Sequence, residues 1–356
     1  MAAQLQARAS DGPKQVAATS SPLAEIGLRA RWQAGQLDVE QLQARSAQST
    51  AQATGQLRWD AAAMSVKGQA RLSRFDPGDW SPVLRQRLGT AGSRIEARVD
   101  VDLRGIRMAV PPASASGGWP ARLSGVVGRV RCELAPSTLA AQPLRGEMQL
   151  VAEDGAPVAL TGRLDLADNA ATVDARLDRR SGSGDHWSWQ VNAPRLDQTA
   201  ALLRLMGAAP LSGRLSAHGE VQGRRPLLRT QGQVQATALT SLPLVPSAQA
   251  GDAGAAGGWR LARLSAEWRV DTASGGPWQV NVEAAQGMEA HGWGVESLQA
   301  SLNGSADSHR WQIEARTLTP ALRRRAASSS DASGTPGTPP AATAAVPGLL
   351  SWQGEG

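Results

Sequence analysis

The chain has almost none of three residue types that commonly contribute bulk or covalent cross-links to a fold. Its 356 residues contain no Tyr, one Phe and one Cys. A single cysteine excludes a disulfide within the chain, so cysteine gives no indication of the redox compartment. The bulk of any core must therefore come from Leu, Val, Ala and the 12 Trp residues. A hydrophobic content of 41% is enough to bury a sizeable core in a chain of this length.

Lysine is also scarce, and arginine carries nearly all of the positive charge. The formal net charge of +6 suggests a nucleic-acid partner. Along most of the chain, however, Arg alternates with acidic or amide residues, as in residues 94–104. This alternation is typical of a solvated surface of mixed charge rather than a basic stripe. We therefore predict no nucleic-acid partner.

Long apolar runs are absent as well. No stretch reaches the roughly 18 apolar residues that a membrane-spanning helix needs. Residues 1–22 are polar and lack the charged-then-apolar pattern of a signal sequence. The protein is therefore either cytosolic, or its membrane anchor lies outside these 356 residues.

The sequence is rich in period-two alternation, in which apolar and polar residues take opposite faces of a strand. We predict an all-β fold, an elongated and curled antiparallel sheet with short interspersed helices. Twelve residues represent its apolar face: Ile95, Val99, Val101, Leu103, Val173, Leu177, Leu264, Trp268, Val270, Val280, Val282 and Ile313. Gly followed by Gln or Arg often opens such a run and predicts a tight turn there, at Gly55, Gly68, Gly162, Gly213 and Gly232.

Three predicted helix starts are evenly spaced and indicate a repeat. Asp76 and Asp197 lie 121 residues apart, and Thr319 follows 122 residues later. Each has the character of an N-cap residue, and about six strands are expected between successive helices. Such a repeat favours an elongated, stacked architecture, although tandem β-sandwiches would give the same alternation.

The repeat predicts six segments. They are a polar segment (1–22), a partial β repeat (23–75), two β repeats that each begin with a helix (76–196 and 197–318), the start of a third helix (319–325) and a low-complexity linker or tail (326–356).

A search for catalytic and metal-binding motifs finds none. The four histidines lie far apart in the sequence, and no second ligand stands at metal-binding spacing from any of them. No P-loop, nucleophile elbow or dinucleotide-binding glycine motif follows a predicted strand. We predict that the chain is not an enzyme and binds no cofactor.

Two passages resemble a known family. The sequence Arg74-Phe75-Asp76-Pro77, followed by Trp80, and the pattern of leucines and glycines over 196–223 are similar to the middle region of the TamB family of AsmA-like proteins. The general sequence pattern is similar over about residues 23–320. The motifs are short and indicate the superfamily rather than one member.

The resemblance implies a periplasmic protein, anchored to the inner membrane, whose curled sheet forms a hydrophobic groove. The twelve apolar residues would line that groove and contact phospholipid acyl chains. Family members are associated with phospholipid transport and, together with the outer-membrane protein TamA, with outer-membrane protein assembly. The membrane anchor and the region that meets TamA are not recognisable here and are expected outside this chain. The alternative is a secreted or surface structural protein, such as a stalk or adhesin, with a packed β core.

Overall fold

The chain folds almost entirely as antiparallel β-structure. The computed structural model describes residues 2–8, 25–60, 62–89, 91–107, 125–178, 184–224, 227–241, 259–290, 293–318 and 348–355. Strands account for 73% and helices for 9% of the structure. The predicted all-β fold with few helices is confirmed.

The described residues contain eighteen strands and three short helices. The strands are β1 (Ala2–Arg8), β2 (Glu25–Gln33), β3 (Gln36–Ser46), β4 (Ser49–Trp59), β5 (Ala63–Phe75), β6 (Ile95–Arg107), β7 (Val127–Leu139), β8 (Gln142–Ala152), β9 (Val158–Leu166), β10 (Asn169–Leu177), β11 (His186–Ala193), β12 (Leu211–Arg224), β13 (Leu227–Ser241), β14 (Trp259–Asp271), β15 (Trp278–Ala290), β16 (Trp293–Gly304), β17 (His309–Leu318) and β18 (Gly348–Glu355). The helices are α1 (Pro77–Trp80), α2 (Pro82–Leu88) and α3 (Ala200–Leu205), and a 3₁₀ turn, Leu196–Thr199, precedes α3. Six described strands lie between α2 and the 3₁₀ turn, and six more lie between α3 and Leu318, which agrees with the predicted spacing.

The strands belong to two compact units. Unit 1 consists of Met1–Gln190, Ala201–Ala208 and Gln222–Arg224, and unit 2 of Val191–Ala200, Ala209–Val221 and Arg225–Gly356. In unit 1, each strand from β1 to β10 pairs in antiparallel fashion with the next strand along the chain. In unit 2, β13 to β18 pair in the same sequential manner. Each of these two runs of strands is a single sheet rather than the two facing sheets of a sandwich.

The turns lie at different residues from those that the glycines predict. Four hairpins have two-residue turns that lie within the described residues, and three of these carry alanine with a positive φ, at Ala47, Ala140–Ala141 and Ala167. The prediction that the Gly-Gln and Gly-Arg pairs mark reversals is wrong, because Gly55, Gly68, Gly162, Gly213 and Gly232 all lie inside strands.

The strand glycines are instead explained by close approach between strands. Gly55 and Gly68 are directly opposite each other in β4 and β5. A Cβ at Gly55 would lie 2.9 Å from the carbonyl oxygen of Lys67, and a Cβ at Gly68 would lie 2.8 Å from that of Thr54. Because real Cβ atoms do not come this close to backbone atoms, only glycine fits at both positions.

Helix α1 begins as the sequence predicts and is tied to the end of the β3–β4 hairpin. The Asp76 carboxylate accepts from the backbone N–H of Gly78 at 2.8 Å and thereby caps the helix. The buried Ser49 hydroxyl donates to the Asp79 carboxylate at 2.9 Å and accepts from the Asp76 N–H at 2.9 Å. Ser46 donates to the Asp79 carbonyl at 3.1 Å, so two hydroxyls fix the helix against the sheet rim.

The second predicted cap is wrong. Asp197 lies within the 3₁₀ turn, and Arg195 occupies the cap position, where its side chain does not cap the backbone of the turn. Asp197 instead forms an ion pair with Arg195 at 3.6 Å. The segment before α3 forms a 3₁₀ turn because Leu196 is buried in a core cluster. Burial of Leu196 outweighs the preference of Asp197 for the cap position. The third predicted start, at Thr319, lies outside the described residues.

Both predicted non-globular ends include a strand. Within the predicted polar segment 1–22, residues 2–8 form β1 and pair with β2. Within the predicted tail 326–356, residues 348–355 form β18 and pair with β17. The tail prediction was wrong for these eight residues. The preceding stretch is rich in Ser, Pro and Ala, and its composition was extended to the end of the chain. In the strand, Leu350 aligns with Ala315 and Trp352 with Ile313.

Three small clusters of buried residues stabilise the fold. In unit 1, Leu88 of α2 and Ala201 of α3 pack with Leu139, Leu144 and Leu166 at one end of the strands. A second cluster, at the other end of the strands, consists of Val126, Ala152 and Val158. In unit 2, the cluster consists of Ala193, Leu196, Ala236, Leu239, Leu261 and Ala284. Within the part of unit 1 that the structure describes, helices therefore cover one end of the strands.

Candidate functional site

The candidate site in unit 1 is a continuous apolar surface on one side of the sheet, here called the apolar face. Its central line of cross-strand partners, the Val101 row, runs perpendicular to nine strands. From β2 to β10 its members are Ala30, Val39, Gly55, Gly68, Val101, Val130, Leu150, Leu160 and Ala175. Because every member is apolar, no polar side chain interrupts this path.

A second row lies beside it and is equally apolar. The Val99 row consists of Leu28, Leu42, Ala53, Ala70, Val99, Cys132, Met148, Gly162 and Val173. Neighbouring strands are about 4.8 Å apart, so eight spacings give each row a length of about 38 Å. This length exceeds that of the helical segment needed to cross a bilayer core, about 30 Å.

The side chains of this face are partly accessible to solvent. All twelve residues predicted to line a groove are partly buried, and none of them belongs to the fully buried core. Met148 in the Val99 row keeps 43% of its surface exposed. In a packed two-layer core such positions would be fully buried. Apart from Ala175, which is buried, the central rows therefore form an open apolar surface.

The ends of the strands differ from their middle. Ile95 packs against the cluster of Leu88, Leu139 and Leu166, while Leu103 and Leu177 pack against the cluster at the opposite end. These three predicted lining residues therefore contribute to packing at the rims. Val99, Val101 and Val173 lie in the two central rows, where the face is open.

Unit 2 carries an apolar face of the same construction. Its central line consists of Val234, Ala266, Val282, Ala300, Ile313 and Trp352 in β13 to β18. Of the predicted residues, Val282 and Ile313 lie in this row, and Trp268 and Val280 lie in the adjacent one. Val270 belongs to the same face near the end of β14, and Leu264 packs against the buried cluster of unit 2.

The opposite face of the unit 1 sheet, here called the polar face, is a lattice of paired charges. Asp165 accepts from Arg163 at 3.0 Å and from Arg145 at 3.0 Å, and Arg98 donates to Asp100 at 2.8 Å. The Arg163 hydrogen bond lowers the pKa of Asp165 below its usual value, against the opposing effect of burial, and Arg145 lowers it further.

The polar face also contains a depression in unit 1. Its volume is about 650 Å³, and charged groups of both signs line it, including Lys67, Asp100, Asp102 and Arg129. Since opposite charges alternate within it, this depression has no preference for ions of one sign.

Several members of the apolar rows were not among the predicted residues. Val130, Met148, Leu150 and Leu160 lie between the predicted positions of β6 and those of β10. Their strands also alternate, but Gly146 and Gly162 interrupt the apolar pattern. In the structure the rows are continuous, because cross-strand register aligns these glycines with apolar residues of the neighbouring strands. Register involves two strands, so it cannot be read from one segment of sequence.

No protein-family model, curated protein or solved structure matches this chain. Among the described residues, no group of three or more His, Cys, Asp or Glu side chains is arranged to hold a metal ion. Within the same part of the chain, every helix is too short or too polar to cross a bilayer.

Proposed function

We propose that this chain is a segment of a periplasmic envelope-biogenesis protein of the AsmA-like type, and that its apolar face carries phospholipid acyl chains. The observation that carries this proposal is the unbroken Val101 row, which crosses nine strands and, apart from the buried Ala175 in β10, remains partly open to solvent. A surface of this size is costly to leave in contact with water.

The energetics support an acyl chain as the occupant. Burial of a methylene group contributes about 0.8 kcal/mol, so an alkyl chain lying along either row would gain several kcal/mol even with one side exposed. The interaction is non-directional, and the row offers similar Val, Leu and Ala contacts at successive strands. A chain can therefore move from strand to strand without crossing a polar barrier.

The resemblance to the TamB family supports the cellular setting of the proposal. In that setting the full-length protein is anchored to the inner membrane, and its sheet leads lipid towards the outer membrane or assists outer-membrane protein assembly. Contact with TamA would involve residues outside this chain. No catalytic step is part of this function.

The test introduces a charge into the central row. We expect Val101→Asp to remove nearly all phospholipid that copurifies with the folded protein, because a carboxylate on the apolar face must either lose its hydration or exclude the acyl chain. Phospholipid is quantified by mass spectrometry after gentle purification, and circular dichroism confirms the fold.

Gln149→Asp is the matched control. Gln149 is an exposed polar-face residue aligned with Arg131, so the same charge is introduced without touching the apolar rows. Equal lipid recovery from Val101→Asp and the wild-type protein would exclude the proposal and favour a structural stalk or adhesin.

A further inference from the structure

Two tryptophans on the apolar face of unit 2 lie over glycines of the neighbouring strand. Trp268 of β14 is aligned with Gly232 of β13, and a Cβ at Gly232 would lie 2.7 Å from Cη2 of the indole and 2.6 Å from the carbonyl oxygen of His218. The indole Nε1–H donates to the Thr230 hydroxyl of the same neighbouring strand at 3.1 Å. The ring therefore occupies the space above Gly232 and is held there by a hydrogen bond.

The second pair has the same arrangement at the other side of the sheet. Trp311 of β17 is aligned with Gly354 of β18. A Cβ at Gly354 would lie 2.5 Å from three ring atoms of Trp311, so this indole also covers a glycine.

Both pairs belong to one row, and their indoles lean in opposite directions. In order from β13 to β18, the row consists of Gly232, Trp268, Val280, Leu302, Trp311 and Gly354. Trp268 leans towards β13 and Trp311 towards β18, so both rings turn away from Val280 and Leu302. The open lane between them spans three strand spacings, or about 14 Å.

Glycine inside a strand is unfavourable by about 0.5–1 kcal/mol relative to alanine. An aromatic ring that covers the glycine recovers part of this loss. Packing alone thus accounts for some of the arrangement, but it does not require both rings to turn away from the same two residues.

We infer that Gly232 and Gly354 are positioning residues that keep the indoles of Trp268 and Trp311 flat on the sheet and so leave the lane over Val280 and Leu302 free for an acyl chain. This inference rests on the proposed function. It adds the location of the lane and the residues that determine its width.

The experiment uses a phosphatidylcholine with a diazirine-bearing acyl chain, supplied in vesicles to the full chain. After photolysis, adducts are quantified on the tryptic peptide 270–310, which contains the whole of β15 and β16 together with the lane residues Val280 and Leu302. The variants are Gly232→Val, Trp268→Ala and the double variant, and circular dichroism confirms that each is folded.

In Gly232→Val the new side chain displaces the indole into the lane, and we expect labelling of this peptide to fall about tenfold, which corresponds to the lost burial of about two methylene groups. In the double variant the displaced ring is absent, and we expect labelling to return to within about twofold of the wild type, a difference of less than 0.5 kcal/mol. A double variant that remains as weakly labelled as Gly232→Val would overturn the inference, since backbone distortion would then explain the loss.

Thr230→Val provides a second test if Gly232→Val does not fold. It preserves side-chain shape but removes the acceptor of the indole hydrogen bond, so we expect reduced labelling together with a shift in tryptophan fluorescence. Unchanged labelling in Thr230→Val would count against a positioned ring. If the wild-type peptide is not labelled above background, the proposed function itself fails, whereas strong labelling that no variant changes contradicts only the inference.

Discussion

Single residues of the polar face link stability to pH. Asp165 is the clearest case, because two arginines donate to its carboxylate and its side chain is only 13% exposed. Its pKa is lower in the folded protein than in the unfolded chain. The corresponding stabilisation is therefore complete above the unfolded pKa of about 4 and disappears as the pH falls through the lower, folded value.

This linkage gives a prediction for Asp165→Asn. At pH 7 the variant should be less stable than the wild type, and the difference should shrink as the pH is lowered below about 4. Thermal unfolding followed between pH 2 and 7 measures the effect, and Asp154→Asn in the exposed β8–β9 turn is the control. A stability difference that does not change with pH would show that Asp165 acts through packing rather than charge.

At the scale of elements, the hairpin between β7 and β8 carries backbone strain. Ala140 and Ala141 have φ values of 46° and 64°, in the left-handed region that the second residue of such turns usually satisfies with glycine. The left-handed conformation costs a residue with a Cβ about 1–2 kcal/mol. The strand register compensates for this strain.

Ala141→Gly should therefore stabilise the protein. Relief of the strain exceeds the entropy that glycine adds to the unfolded chain, about 0.4–1 kcal/mol, so we expect a net gain of about 0.5 kcal/mol. Urea unfolding is the measurement, and Ala171→Gly, within β10, should instead be destabilising. Equal effects of the two substitutions would contradict the assignment of strain to Ala141.

The strands could be predicted from sequence because the alternation of apolar and polar residues is a local pattern. The turns and the full set of apolar-face residues could not be predicted in this way. Tight reversals were assigned to glycines, yet Gly55 and Gly68 lie mid-strand, and alanines form three of the two-residue turns. Glycine is favoured both where φ is positive and where strands approach closely, and sequence alone does not separate these two causes. Leu150 and Leu160 join the Val101 row only through cross-strand register.

At the scale of the whole molecule, stability depends on what contacts the apolar faces. The buried clusters of unit 1 lie at strand ends, while its central rows, apart from the buried Ala175, remain partly exposed. A ligand that binds the folded state alone stabilises it in proportion to the logarithm of its concentration. The proposed occupant should therefore increase the resistance of the protein to heat.

We expect lysophosphatidylcholine below its micellar concentration to raise the melting temperature by several degrees, which corresponds to about 1–2 kcal/mol of linked binding. Differential scanning calorimetry measures the shift. In Val101→Asp the shift should be markedly smaller, and Gln149→Asp should behave like the wild type. A shift of equal size in all three proteins would indicate binding elsewhere.

Sequential pairing also affects how the chain reaches its fold. From β1 to β10, and again from β13 to β18, each described strand is hydrogen-bonded to the strand made immediately before it. Low contact order of this kind allows folding to begin locally and to proceed without waiting for distant segments. Each new strand can dock on the preceding one as soon as it is available, so the most recent strand forms one edge of the growing sheet only until the next strand arrives.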